Sequence, residues 1–244
     1  MQYVPLLLLP LVLLPAFSLH ALCGAGVSLG VWGVVGMICP IFRDKIPRLV
    51  WKCWLIAAFL VEISRLVKAL PFIGMRMPPV FAVILLLGTV WGFGASCGKT
   101  ALARSVSLLG VIWLAAVLLL LAGRAMQSLT VSPPIAENGE IWWFTGIEIP
   151  VLMLSAKRET LHRRVLRVTL LKLAGLLGIF LLLATGGTLV QSSPYPIFLL
   201  AKLTQPLAFR VDAVYLTAFL TAWGILGAQA AACLFGERLS TARA

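Results

Sequence analysis

Long apolar runs dominate this sequence and limit the folds that it can adopt. Residues 21–42, 80–98, 101–123 and 168–190 each form such a run. A helix needs ~20 predominantly apolar residues to cross the hydrocarbon layer of a bilayer, and these runs reach that length. They show no alternation of apolar and polar residues, and backbone groups in lipid must pair within their own segment. The runs therefore predict transmembrane helices.

The charge content supports the same class of protein. Only 11% of the residues are charged and 61% are hydrophobic, whereas soluble domains carry roughly 25% charged residues. The 20 basic residues exceed the 8 acidic ones, giving a net charge of +12, and they sit in short clusters between the apolar runs. This pattern is typical of positive-inside topology and of contact with anionic lipid headgroups. It does not indicate nucleic-acid binding.

The order of the runs predicts one polytopic domain, residues 1–244, with seven or eight transmembrane helices. Residues 1–42 are predicted to form an N-terminal hairpin. A signal peptide would carry a basic residue before its apolar run, but the first run here, residues 4–18, has none before it. We therefore expect this segment to be retained. Residues 46–236 contain the clearer helices. The largest basic cluster, Lys157 to Arg167, is predicted to be a cytoplasmic loop, which places the acidic residues around Glu137 outside.

The segment GFGASCGKT, residues 92–100, ends like a phosphate-binding loop. Such a loop needs a glycine five residues before Gly98, but that residue is Phe93. The segment is therefore predicted to be a tight junction between two helices, where small residues let the helices approach closely.

The apolar segment at residues 141–156 carries the strongest candidate site. Gly146, Glu148 and Pro150 lie in its middle, and an unbroken helix accommodates such a set poorly. We predict a broken helix in which Thr145 and Gly146 expose backbone groups and Glu148 binds a ligand amine or a proton. A carboxylate inside a bilayer usually faces a cavity or a partner. The alternative is that Glu148 lies near the outer interface and reaches water.

Two further charged pairs are candidates. Glu62 precedes Arg65 by three residues, so the two can pair on one helix face. Glu62 is a candidate ligand contact, and the alternative is a self-neutralised pair near the outer surface. Arg210 and Asp212 begin the last predicted helix, and we expect them to pair with other helices, either as structural bonds or as a coupling site.

The residues of catalytic and metal sites do not form a set. The five cysteines are scattered singly, and the only histidines, His20 and His162, are far apart. No metal-ligand spacing and no nucleophile with a base can be assembled. We expect no enzymatic activity, no metal and no cofactor, and we interpret the cysteines as small buried residues.

Four motifs in order resemble the spore-germinant-receptor permeases, the GerAB/ArcD/ProY group. They are LVKALPFIGMRMPP, CGKTALARSVSLLGVIW, the SPP and GIEIPVLMLSAKRET segments, and SSPYPIFLLAKLTQPLAFRVDAVYLTAFLTAW. The last is the most specific, through Arg210, Asp212 and Trp223. The resemblance covers about residues 46–228.

The resemblance implies a shortened form of the amino acid–polyamine–organocation transporter fold, in which inverted repeats bind ligand where helices break near the midplane. It implies that the chain senses or moves an amino-acid-like solute at the bacterial cell membrane or the spore inner membrane. Other germinant-receptor subunits would be its partners. Two other functions stay open: a non-transporting scaffold in sporulation or germination, and an unrelated small transporter.

Overall fold

The structure is a computed structural model. It describes residues 19–71, 78–96, 146–155, 158–184, 196–204 and 226–234, with a few single positions between 108 and 224. Of the described residues, 90% are helical, which confirms the all-helical class for this part of the chain. The helices are α1 Leu19–Phe42, α2 Arg48–Ala69, α3 Pro79–Ser96, α4 Glu148–Ser155, α5 Arg158–Ala184, α6 Pro196–Leu203 and α7 at 226–234. Among these residues, no helix is both long enough and apolar enough to cross a membrane.

Four predicted helix boundaries agree with the structure, and one is wrong. Helix α1 ends at the predicted residue 42, α2 matches the predicted run 49–67 to within two residues at both ends, and α3 begins one residue before the predicted 80. Helix α5 begins ten residues before the predicted start at 168, so the described part of the basic cluster is helix and not loop. Its buried side chains Leu161, Val165 and Val168 recur at spacings of four and three. That is the period of an amphipathic helix, which accommodates the arginines on its other faces.

Several predictions fall outside the described residues. They include the first apolar run at 4–18, the end of the GFGASCGKT segment at 97–100, and residues 141–145 of the predicted broken helix. The cysteine prediction can be compared at three positions, and there it is wrong. Cys53 is exposed, whereas Cys39 and Cys233 are half-buried and pack at the edges of the two core clusters.

The short helix α4 lies between three longer helices. It contacts α1, α2 and α5, and six consecutive residues from Glu148 to Met153 are buried. Ile147 and Val151 join a core cluster formed with α2, α6 and α7, whereas Ile149, Leu152 and Met153 join a second cluster with α5. A fully buried aliphatic side chain contributes about 1.5–3 kcal/mol. These contacts hold the start of α4 in a fixed position.

Helices α1 and α5 approach closely where α1 carries glycines. A Cβ atom added to Gly36 would lie 2.7 Å from Cγ1 of Val165, and one added to Gly33 would lie 3.1 Å from Cγ2 of Thr169. Contacts below 3.0 Å require a neighbour to move, and Val165 is a β-branched side chain with few alternative rotamers. The absence of a side chain at Gly36 therefore sets the distance between α1 and α5.

Gly36→Ala is expected to separate these helices and lower the free energy of unfolding by about 1–3 kcal/mol, as overpacking does in other cores. Gly30→Ala is the matched control, because a Cβ at Gly30 would meet no atom within 4 Å. The midpoint of thermal unfolding, Tm, of both purified variants checks this. Equal Tm values for the two variants would show that the α1–α5 approach does not depend on Gly36.

Candidate functional site

Gly146 lies immediately before α4 in a conformation that favours glycine. Its φ is 62°, in the left-handed region, which side chains other than glycine adopt at a cost. A Cβ atom at this position would also lie 2.8 Å from Cε3 of Trp32. The Gly146 carbonyl accepts a hydrogen bond from the N–H of Ile149 at 2.9 Å. The backbone therefore turns at Gly146 and enters the helix at Glu148.

The sequence explains why a helix begins here. Pro150 falls in the first turn of α4, where its missing N–H costs nothing because first-turn N–H groups have no partner within the helix. Glu148 supplies an acidic residue in the same turn, near the positive end of the helix dipole. A helix thus begins just after Gly146, whereas residues 141–145 of the predicted broken helix lie outside the described residues.

Glu148 is buried and paired with a charge that the sequence analysis did not single out. Only 6% of Glu148 and 1% of Lys172 are exposed. The ammonium of Lys172, near the middle of α5, donates to Oε1 of Glu148 at 2.5 Å. Burial of an unpaired charge costs several kcal/mol, so each group needs the other. The alternative that Glu148 reaches water is therefore wrong for this structure.

Glu148 has a second carboxylate oxygen without a partner and lines a small cavity. Within the described part of the chain, Oε2 is buried and has no hydrogen-bond partner. The cavity is lined by Glu148, Trp32, Thr169 and apolar neighbours, and its volume is ≈ 10 Å³. That is about the room that one water molecule, or one ammonium nitrogen, requires. The carboxylate thus has one oxygen bound to Lys172 and one oxygen without a donor.

An open groove adjoins this cavity. It lies between α1 and α5, has a volume of ≈ 420 Å³, and shares Leu29, Gly33 and Thr169 with the cavity as lining residues. The other residues that line the groove are glycine or apolar. Ligand pockets commonly have volumes of ≈ 300–1,000 Å³ with apolar walls and few polar groups. The groove and the cavity together form a space of that kind, with the Glu148 carboxylate at one end.

Three tryptophans brace the turn at Gly146. Trp32 of α1 lies against Gly146, with its ring centroid 5.3 Å from that of Trp54 on α2. Trp54 in turn stacks on Trp51, at 5.8 Å between centroids. Such pairs contribute about 0.5–1.5 kcal/mol beyond the area that they bury. Trp32 is thereby fixed as a wall of both the turn and the cavity.

The predicted pair of Glu62 and Arg65 is confirmed. Nη1 of Arg65 donates to Oε1 of Glu62 at 3.1 Å, and Glu62 is fully buried. Glu62 does not line the cavity that Glu148 lines. The structure therefore does not bring the two predicted ligand carboxylates into one site.

Three of the predicted site residues, Thr145, Arg210 and Asp212, lie outside the described residues. Two residues of the site were missed. Lys172 had a signal, because a lysine inside the apolar run 168–190 is itself a candidate for a functional role. Trp32 had none, since its contact with Gly146 arises only from the packing of α1 on α4.

Among the described residues, no group of three or more His, Cys, Asp or Glu side chains could hold a metal ion.

Comparisons with known proteins give no relative: no family model, no curated protein and no solved structure matches this chain. The resemblance to germinant-receptor permeases is carried by the sequence motifs.

Proposed function

We propose that this chain is a permease-like membrane subunit of the germinant-receptor type that binds a small amino-acid-like solute at Gly146 and Glu148. One observation carries the proposal: a left-handed glycine precedes a short buried helix whose first residue is a buried carboxylate. Transporters bind their substrates at such helix breaks, where backbone groups and helix ends face the ligand. The ordered motifs of the sequence support the same class of protein.

Exposed apolar side chains support a location in the membrane. On α1 and α5 they recur at spacings of three and four, so each set forms a stripe along one helix face. The stripes are Val27, Val31, Val34, Ile38 and Ile41 on α1, and Leu166, Leu170, Leu173, Leu177 and Leu181 on α5. Soluble proteins rarely expose apolar patches of this extent. We propose lipid as their contact, in the bacterial cell membrane or the spore inner membrane, with other receptor subunits as further partners.

The two ends of an amino acid suit the two kinds of group at this site. The Glu148 carboxylate accepts charge-assisted hydrogen bonds from an ammonium group. The positive dipole end of α4 favours a carboxylate. The role that we propose is recognition or transport, without covalent chemistry at the site.

Equilibrium binding of a panel of tritiated amino acids to the purified protein in lipid nanodiscs tests the proposal. We expect one or more members to bind, and Glu148→Gln to weaken that binding by roughly 10- to 100-fold, the effect of one hydrogen bond to a charged group. Glu62→Gln is the matched control, since it makes the same chemical change outside the cavity and is expected to retain binding. Equal affinities of wild type and Glu148→Gln would show that Glu148 does not bind the solute.

A non-transporting membrane scaffold is the second candidate function. The ion pair between Glu148 and Lys172 favours it, because the pair neutralises the carboxylate without any solute. In that case no amino acid in the panel binds, and Glu148→Gln changes only the stability of the protein.

A further inference from the structure

The partner of Glu148 is chemically the same group that an amino-acid-like solute carries. Lys172 presents a primary ammonium to Oε1 of Glu148 at 2.5 Å, and both side chains are buried. The arrangement is a carboxylate with a bound alkylammonium, in which the alkylammonium is attached to α5. Oε2 of the same carboxylate has no donor among the described residues.

We infer that the Glu148 carboxylate is a binding site for a primary ammonium group, filled by Lys172 in this structure and taken over by the amine of a solute when the solute binds. The first half of this inference is independent of the proposed function, and the second half rests on it. Lys172 is then a tethered competitor that sets the affinity of the site. A buried carboxylate without a cation is strongly disfavoured, so one ammonium must replace the other.

The space around the pair fits this exchange. The cavity at Glu148 has room for about one further nitrogen atom. The adjoining open groove shares three lining residues with it and is otherwise apolar. A solute can therefore place its ammonium at Glu148 and its apolar part in the groove.

Lys172→Ala provides a direct test, because the removed atoms Cγ, Cδ, Cε and Nζ have the size and charge of n-propylammonium. We expect n-propylammonium to raise the Tm of Lys172→Ala by about 3–6 °C at concentrations tenfold above its dissociation constant. Methylammonium, which is shorter, should act more weakly. The uncharged 1-propanol, of matched shape, should not act. Wild type, in which the ammonium of Lys172 competes, should respond less than Lys172→Ala, and the double variant Lys172→Ala/Glu148→Gln, whose carboxylate is gone, should not respond.

The ethanolamine headgroup of a lipid carries the same ammonium. The titration is therefore made in phosphatidylcholine nanodiscs, with and without phosphatidylethanolamine. Stabilisation by n-propylammonium in pure phosphatidylcholine supports a site for soluble amines. Stabilisation by phosphatidylethanolamine alone would keep the ammonium site but overturn its use by a solute.

Lys172→Met keeps the volume of the side chain and carries the test if Lys172→Ala does not fold. With the competing ammonium removed, an amino acid that binds wild type is expected to bind Lys172→Met at least tenfold more tightly. Equal binding would overturn the competition, and weaker binding would do so too, because it would mean that Lys172 itself holds the solute.

The two proposals fail separately. If n-propylammonium stabilises Lys172→Ala but no amino acid binds wild type, the ammonium site stands and the proposed function falls. If wild type binds an amino acid through Glu148 but n-propylammonium stabilises Lys172→Ala no more than 1-propanol does, the proposed function stands and this inference falls.

Discussion

Lys172→Met is expected to lower the free energy of unfolding by about 3–5 kcal/mol, because it leaves the buried carboxylate of Glu148 without its partner. For a chain of this size the loss corresponds to a fall in Tm of roughly 6–20 °C. Glu148→Gln should cost less, since an amide still accepts a hydrogen bond from the ammonium. Thermal unfolding of the purified variants measures both effects.

The double variant Glu148→Gln/Lys172→Met separates the ion pair from the surrounding packing. Removal of both charges leaves no buried ion, so we expect the double variant to be more stable than Lys172→Met alone. If the loss of stability in the double variant equals the sum of the losses in the two single variants, the contact between Glu148 and Lys172 contributes nothing to stability. The geometry of this site would then be wrong.

Gly146→Ala is expected to cost about 2–5 kcal/mol, from two sources. A residue with a Cβ pays roughly 1–2 kcal/mol in the left-handed region, and its Cβ would lie 2.8 Å from the ring of Trp32, an overlap of the kind that costs about 1–3 kcal/mol. The Tm of the purified variant measures the sum. Movement of the Trp32 ring away from such a Cβ would disturb its contact with Trp54, whose ring centroid lies 5.3 Å away.

Two comparisons identify the source of that loss. Asparagine tolerates the left-handed backbone but still carries a Cβ. Gly146→Asn should therefore recover only the part of the lost stability that comes from backbone strain. Gly178→Ala is the control, because a Cβ there meets no atom within 4 Å and alanine favours the interior of α5. If Gly146→Ala were as stable as Gly178→Ala, the turn before α4 would not be the one described.

The sequence predicted those parts of the fold that depend on local pattern. The apolar runs predicted the end of α1, both ends of α2 and the start of α3 to within two residues, because run length and flanking prolines determine where such helices begin and end. The start of α5 was missed, because the many charges of the basic cluster were interpreted as a loop, although Leu161, Val165 and Val168 recur with the period of a helix. That period was present in the sequence and could have been used.

The site was predicted only in part, for a physical reason. Gly146 and Glu148 were found because glycine, an acid and proline disturb an apolar segment locally. The partner of Glu148 lies 24 residues further on, and the ring against Gly146 comes from α1. Such contacts are set by how α1, α4 and α5 pack together, and helical periodicity alone does not specify that packing.

A cryo-electron microscopy structure with the tightest-binding amino acid of the panel tests the central claim most directly. We expect the solute at the turn between Gly146 and Glu148, its ammonium on the Glu148 carboxylate, and the Lys172 ammonium moved away from Oε1. A helix that runs unbroken through Gly146, with the Glu148–Lys172 pair intact and the solute bound elsewhere or absent, would contradict the account.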